Sequence, residues 1–120
     1  MEIYERNINS NVRKVGKSFI LTEASLLDLN HSMRVSLKIN LKSRKIQSAD
    51  AVILKAPLTV CGSTTALIKR LKGLKIERGI NNKLIEHLAH AEGCTHLYEL
   101  ALNAVRLSFN VMIGMDFNWA

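Results

Sequence analysis

The most constraining feature of this 120-residue sequence is a change of hydrophobic period near Pro57. Upstream, apolar and polar residues alternate strictly over residues 33–41, which is the period of a strand with one buried face. Downstream, apolar residues recur at helical spacing, as in Leu67, Ile68 and Leu71. Strands followed by helices predict an α+β fold, with the helices covering one face of an antiparallel sheet.

The N-terminal half predicts a β-meander of three to four strands. Residues 33–41 and 46–54 are expected to pair as a hairpin, and residues 18–27 form the preceding strand, joined through residues 28–31. Residues 3–13 are a candidate for a fourth, edge strand. Because the connections are so short, neighbouring strands must be antiparallel.

Three helices are expected in the C-terminal half. The first is predicted to be capped by Ser63 or Thr64 and to stop at Gly73. The second is expected over residues 81–93, and Thr95 is a suitable cap for the third and longest. The whole chain, residues 1–120, is interpreted as a single domain, since its length is typical of one hydrophobic core.

The chain is basic, with 17 Lys and Arg residues against 10 Asp and Glu residues and a formal net charge of +7. The basic residues are spread along the sequence, and aromatic residues make up only 5%, so no stacking platform for bases stands out. This distribution favours a solvated basic surface over nucleic-acid binding, although the charge permits the latter.

The predicted location is the cytoplasm. No stretch approaches the roughly 18 consecutive apolar residues of a membrane span, and residues 1–6 lack a basic-then-apolar secretory signal. Two cysteines are also too few for a disulfide scaffold in a chain of this length, which favours a reducing compartment. Both thiols are therefore expected to be free or metal-bound.

Candidate chemistry centres on Cys61 and Cys94, each predicted to lie just before a helix. Backbone N–H groups and the positive end of a helix dipole stabilise the thiolate, the form that binds metal or attacks an electrophile. His96 adds an imidazole two residues after Cys94, and nitrogen with sulfur suits zinc or iron. The alternative for each cysteine is a small buried hydrophobe, and for His96 a histidine bonded to backbone in the capping turn.

Two further features of the sequence matter less. His87 and His90 stand three residues apart on the second predicted helix and could chelate a metal, although a polar helix face explains them as well. The C-terminal segment 109–119 carries many large apolar residues, which are expected to pack back on the sheet or to form a homodimer contact.

The segment from Gly73 to Leu100 resembles a bacterial family of small proteins known as domain-of-unknown-function family 2889. The resemblance rests on Gly-Leu-Lys-Ile at residues 73–76, an amphipathic helix, and the block Glu-Gly-Cys-Thr-His-Leu-Tyr-Glu-Leu at residues 92–100. Residues 27–28 and 57–61 also fit the family pattern. The family implies no settled function.

The chain also resembles, more distantly, the U-type scaffold of iron–sulfur cluster assembly. The shared features are a hairpin, Cys-Gly-Ser at residues 61–63, and a Leu-x-x-x-Leu-Lys-Gly motif at residues 67–73. The first ligand cysteine of the scaffold is missing here, where the sequence is Leu-Asn-His at residues 29–31. The resemblance therefore implies a mononuclear site rather than a two-iron cluster. Its ligands would be Cys61, Cys94 and His96, with His31 or Asp28 as the fourth.

Three hypotheses follow. The leading one is a non-catalytic protein that binds zinc or iron, or handles iron–sulfur clusters, as a binder, carrier or assembly accessory. The second is an enzyme or sulfur-transfer accessory with Cys94 as nucleophile and His96 as its base. The third is an interaction module without metal, using its basic surface or apolar tail to bind protein partners, a second copy or nucleic acid.

Overall fold

The N-terminal half folds as a four-stranded antiparallel sheet whose spatial order, β1-β2-β3-β4, follows the chain. The computed structural model describes residues 1–56, 59–89 and 94–118, with the backbone alone in 59–64. The strands are β1 (Arg6–Val15), β2 (Phe19–Asp28), β3 (Ser32–Asn40) and β4 (Ile46–Lys55). Each pairs with its neighbour in the chain, which confirms the predicted meander with four strands.

Short turns with specific chemistry join the strands. Gly16 adopts φ +65° between β1 and β2, in the left-handed region that glycine enters without steric cost. Between β3 and β4, the side-chain oxygen of Asn40 accepts hydrogen bonds from the N–H groups of Lys42 (2.8 Å) and Ser43 (3.0 Å). Such Asx turns bring the chain back within a few residues, which fixes the antiparallel register.

Three helical segments follow the sheet. They are a 3-10 helix (Thr59–Leu71), α1 (Ile80–Leu88) and α2 (Thr95–Asp116). The segment between the 3-10 helix and α1 pairs with the start of β4. The N–H of Gly73 donates to the carbonyl of Ile46, and the N–H of Ile46 donates to the carbonyl of Leu74, both at 2.8 Å. This segment therefore extends the backbone pairing at the start of β4.

The core lies between one face of the sheet and the helices. The alternating residues of β3 that the sequence placed on one face are buried, among them Val35 and Leu37. Ile20 and Ala24 of β2, which pair with Ile39 and Val35, are buried as well. From the helical side come fully buried leucines and isoleucines: Ile68, Leu71, Leu84, Leu88, Leu97 and Leu100. Burial of a side chain of this size contributes about 1.5–3 kcal/mol, so this interface dominates the stability of the fold.

The predicted α+β architecture is confirmed, but three helix boundaries differ. The first helix begins at Thr59 rather than at Ser63, α1 ends at Leu88, short of residue 93, and α2 begins at Thr95 with Cys94 as its N-cap. Of the C-terminal apolar segment, residues up to Asp116 continue α2. Within the described ranges, no helix has both the length and the apolar character needed to cross a membrane.

Candidate functional site

A buried carboxylate organises the turn between β2 and β3. The side chain of Asp28 is fully buried, and its Oδ2 atom accepts a 2.8 Å hydrogen bond from Nε of Arg6 at the start of β1. Its Oδ1 atom accepts from the backbone N–H groups of Asn30 (2.9 Å) and His31 (2.8 Å). The same oxygen lies 2.9 Å from Nδ1 of His31. Both oxygens of the carboxylate are thus occupied.

These contacts set the charge of Asp28. Burial alone would raise the pKa of the carboxyl group, since it disfavours the charged form. The hydrogen bonds from Arg6 and His31, with that from the N–H of Asn30, outweigh burial and hold the pKa of Asp28 well below its ordinary value of 3.8. Asp28 is therefore an anion at neutral pH, and it must accept rather than donate.

His31 is oriented by this anion. Because ionised Asp28 has no proton, Nδ1 of His31 donates the hydrogen bond, and in the neutral form of the ring the lone pair is on Nε2. The residue is nearly buried, with 9% of its surface exposed. A carboxylate behind one ring nitrogen is the arrangement that prepares the other nitrogen as a base or a metal ligand.

His96 packs directly on this imidazole. It is the second residue of α2, and its ring centroid lies 4.3 Å from that of His31, with an angle of 65° between the planes. Its Nδ1 atom is buried and has no hydrogen-bond partner in the part of the chain that the structure describes. The nearest carboxylate oxygen, Oε2 of Glu99, is 4.0 Å away.

The surroundings of His96 favour its neutral form. Burial is the main cause that lowers its pKa below the ordinary 6.5, followed by the charges of His31 and Arg6. The carboxylates of Glu99 and Asp28 oppose this shift without reversing it. A neutral imidazole with an unpaired buried nitrogen retains a free lone pair or a free N–H group.

Cys94 stands at the N-cap of α2, two residues before His96. Its backbone N–H donates to the carbonyl of Leu88 (3.1 Å), and its carbonyl accepts from the N–H of Tyr98 (3.0 Å). The side chain makes no capping hydrogen bond, is half-buried and packs against the core. These backbone bonds place Cys94 at the same end of α2 as His96.

Cys61 does not lie before a helix, contrary to the sequence prediction. It is the third residue of the 3-10 helix, because this helix begins at Thr59. Its side chain lies outside the described part of the structure, as does His90, so their expected roles stay predictions.

The structure thus brings together three of the five predicted ligands, Asp28, His31 and His96, with Cys94 at the start of the same helix as His96. In residues 1–56, 59–89 and 94–118, however, no three His, Cys, Asp or Glu side chains form a ready-made metal site. His87 lies on α1 and is half-buried.

Arg6 and Glu99 belong to the site, but neither was among the site residues predicted from the sequence. A signal for Arg6 exists, since it is the register partner of Asp28 across β1 and β2, at the end of the hairpin. Glu99 lies one helical turn after His96, and the (i, i+3) spacing places both on one face of α2.

A family model described as a protein of unknown function, DUF2889, matches residues 9–110, which is most of the chain. The chain belongs to the DUF2889 family. No curated protein and no solved structure matches it. The segment shared with DUF2889 includes β2, β3 and the start of α2. It therefore contains Asp28, His31, Cys94 and His96.

Proposed function

We propose that this protein binds a single transition-metal ion, zinc or iron, at the paired imidazoles of His31 and His96. The observation that carries the proposal is the chain of contacts from Asp28 through His31 to His96, which ends on a buried ring nitrogen that has no hydrogen-bond partner among the described residues. A buried polar atom left unpaired costs about 1–3 kcal/mol, and a metal ion would remove that cost.

The chemistry of the donors fits such an ion. Imidazole nitrogen suits zinc and iron, and a thiolate suits them as well. His31 offers Nε2, since its Nδ1 is held by Asp28. Cys94 would add sulfur from the start of α2. Asp28 would support His31 rather than bind the metal, because both its oxygens already accept hydrogen bonds.

The distant resemblance to the iron–sulfur scaffold supports handling of a metal, but the residues favour one ion over a cluster. Iron–sulfur clusters are usually held by four cysteine thiolates, whereas the sequence contains only two cysteines. We propose Cys61 as a further ligand from its place in the sequence alone. The bound metal would supply Lewis acidity or a cargo for transfer.

Titration with Co²⁺ in place of zinc tests the proposal, because cobalt is spectroscopically visible. Metal-free protein, prepared with a chelator under anaerobic conditions, should bind one Co²⁺ per chain. His31→Ala and His96→Gln should each weaken binding by more than about tenfold, since each removes a ligand. Cys94→Ser should weaken the sulfur-to-cobalt charge-transfer band, and the double variant Cys61→Ser, Cys94→Ser should remove it.

His87→Ala is the matched control, because it removes an imidazole from α1 and should leave Co²⁺ affinity unchanged. Circular dichroism of each variant separates loss of the site from loss of the fold. Absence of saturable Co²⁺ binding by folded wild-type protein, or equal affinity in the His96→Gln variant, would overturn the proposal.

The alternative, in which Cys94 is a nucleophile and His96 its base, has less support. Among the described residues, no hydrogen bond joins Cys94 to His96, and the unpaired Nδ1 of His96 has no thiol partner. The pH dependence of alkylation by iodoacetamide distinguishes the two. A thiolate that reacts well below pH 8 in metal-free protein would favour the enzyme.

A further inference from the structure

A cavity lies away from the histidines, between α2 and the segment that leads into α1. Its volume is about 460 Å³, within the range of roughly 300–1,000 Å³ that small-molecule sites occupy. The residues that line it come from 76–81 and from 102–110 of α2. Arg106 in its wall is ten residues after His96 on α2, about 15 Å along the helix axis.

Much of the cavity wall is apolar. Ile76, Ile80 and Val105 are buried, and they form its inner side. Phe109 lines it as well and is 41% exposed. A ligand with an apolar body would cover this ring and the neighbouring aliphatic side chains.

Two arginines, Arg78 and Arg106, line the same cavity. Both are exposed, and in the part of the chain that the structure describes neither forms an ion pair with a carboxylate. Other arginines of the fold do: Arg6 pairs with Asp28 and Arg44 with Asp116, both at 2.8 Å. Two unpaired guanidinium groups beside an apolar wall offer planar, bidentate donors for an oxyanion.

Further hydrogen-bond donors lie at the start of α1. Asn81 lines the cavity, and its side-chain oxygen accepts a 2.7 Å hydrogen bond from the hydroxyl of Tyr98. The amide NH2 group of Asn81 is therefore left as the donor. Gly79, the N-cap of α1, also lines the cavity and provides no side-chain cap. The first turn of α1 contains no acidic residue. The dipole of α1 adds to the positive potential of the arginines.

One acidic residue, Glu77, is part of the wall and would oppose an anion. Its carboxylate is 3.8 Å from Nζ of Lys75, so its charge is partly balanced. The cavity retains a net positive charge, because two arginines face this one paired carboxylate.

We propose that the cavity binds a small amphipathic anion, an oxyanion head group attached to an apolar body. The head group would contact Arg78 and Arg106, and the body would lie against Ile80, Val105 and Phe109. This site is independent of the histidine pair and does not rest on metal binding.

Fluorescence titration with the aromatic sulfonate 8-anilinonaphthalene-1-sulfonate tests the site, with neutral N-phenyl-1-naphthylamine as a second probe. Arg78→Gln and Arg106→Gln should each weaken binding of the sulfonate about tenfold and leave that of the neutral probe unchanged. Glu77→Gln should strengthen sulfonate binding. Arg34→Gln, which removes the same charge from β3, should have no effect.

A second pair of variants distinguishes the cavity from other exposed apolar surface. Phe109→Ser should weaken both probes, whereas Phe117→Ser, at a ring that is 77% exposed and lies outside the cavity wall, should weaken neither. Decanoate should compete with the sulfonate. Sulfonate binding that is the same in wild type and in the two arginine variants would overturn the proposal, as would equal losses in the Phe109→Ser and Phe117→Ser variants.

Discussion

The hydroxyl oxygens of Thr22 and Ser108 lie 2.7 Å apart in the core and join the centre of β2 to α2. Both residues are fully buried. Ser108 donates its proton to the carbonyl of Ala104, also at 2.7 Å, so it accepts from Thr22. The two hydroxyl groups therefore form a directed chain that ends on the helix backbone and fixes how α2 sits on the sheet.

Ser108→Ala should destabilise the protein more than Thr22→Val does. The alanine leaves the buried Thr22 hydroxyl without its acceptor, at a cost of about 1–3 kcal/mol, whereas the valine leaves Ser108 bonded to Ala104 and costs about 0.5–1.5 kcal/mol. Urea denaturation of the two variants measures the difference. The double variant should lose less than the sum of the single losses; full additivity would show that the hydroxyls do not interact.

Asp28 should make the stability of the fold depend on acidic pH. Its pKa is held below the ordinary 3.8 in the folded state, so folding favours the ionised form. This contribution is complete above about pH 4 and is lost as the pH falls further towards the folded pKa. The free energy of unfolding in urea, measured from pH 6 to pH 2.5, should fall less in Asp28→Asn than in wild type. Asp50→Asn, at an exposed residue, is the matched control.

His96 should titrate below the ordinary value of 6.5 in metal-free protein. Since burial favours the neutral form of His96, the free energy of unfolding is higher above about pH 6.5. It decreases as the pH falls towards the folded pKa. NMR titration of the imidazole protons measures the pKa of His96 directly, and the signals missing from the His96→Gln spectrum assign them to this residue. A pKa above 6.5 would contradict the prediction and indicate that the Glu99 carboxylate dominates.

Replacing Gly73 by alanine should destabilise the protein through backbone strain alone. It adopts φ +91°, and a Cβ atom placed there would meet nothing within 4 Å. The left-handed conformation costs an L-residue about 1–2 kcal/mol, so Gly73→Ala should lower the free energy of unfolding by that amount. Gly73→Asn should cost less, because asparagine tolerates this region. Equal losses in the two variants would point to a different cause.

The sequence predicts the sheet well because its signals are local. Alternation over residues 33–41 selects one buried face, and Val35 and Leu37 are buried as that alternation requires. The predicted start of the first helix was wrong because Ser63 and Thr64 are suitable polar caps by sequence, whereas the helix begins at Thr59. Tertiary contacts, such as those of Ile68 and Leu71 with the core, override local capping preferences.

The site was predicted only in part, since it depends on contacts distant in sequence. The Asp28–His31 pair is local and could be expected from its spacing within one turn. Its contact with His96 requires α2 to start beside the β2–β3 turn, which no sequence pattern specifies. The cavity at Arg78 and Arg106 was also missed, because these residues were interpreted only as parts of a basic surface.

The meander order of the sheet has a consequence for synthesis on the ribosome. Every strand pairs with its immediate neighbour in the chain, so all four strands can assemble before residues 95–116 have been made. Until then, the apolar face that α2 later covers is open to water and to other nascent chains. Docking of α2 is therefore the closing step for this face of the sheet, and slow translation just before residue 95 would prolong the period in which the nascent sheet is prone to aggregate.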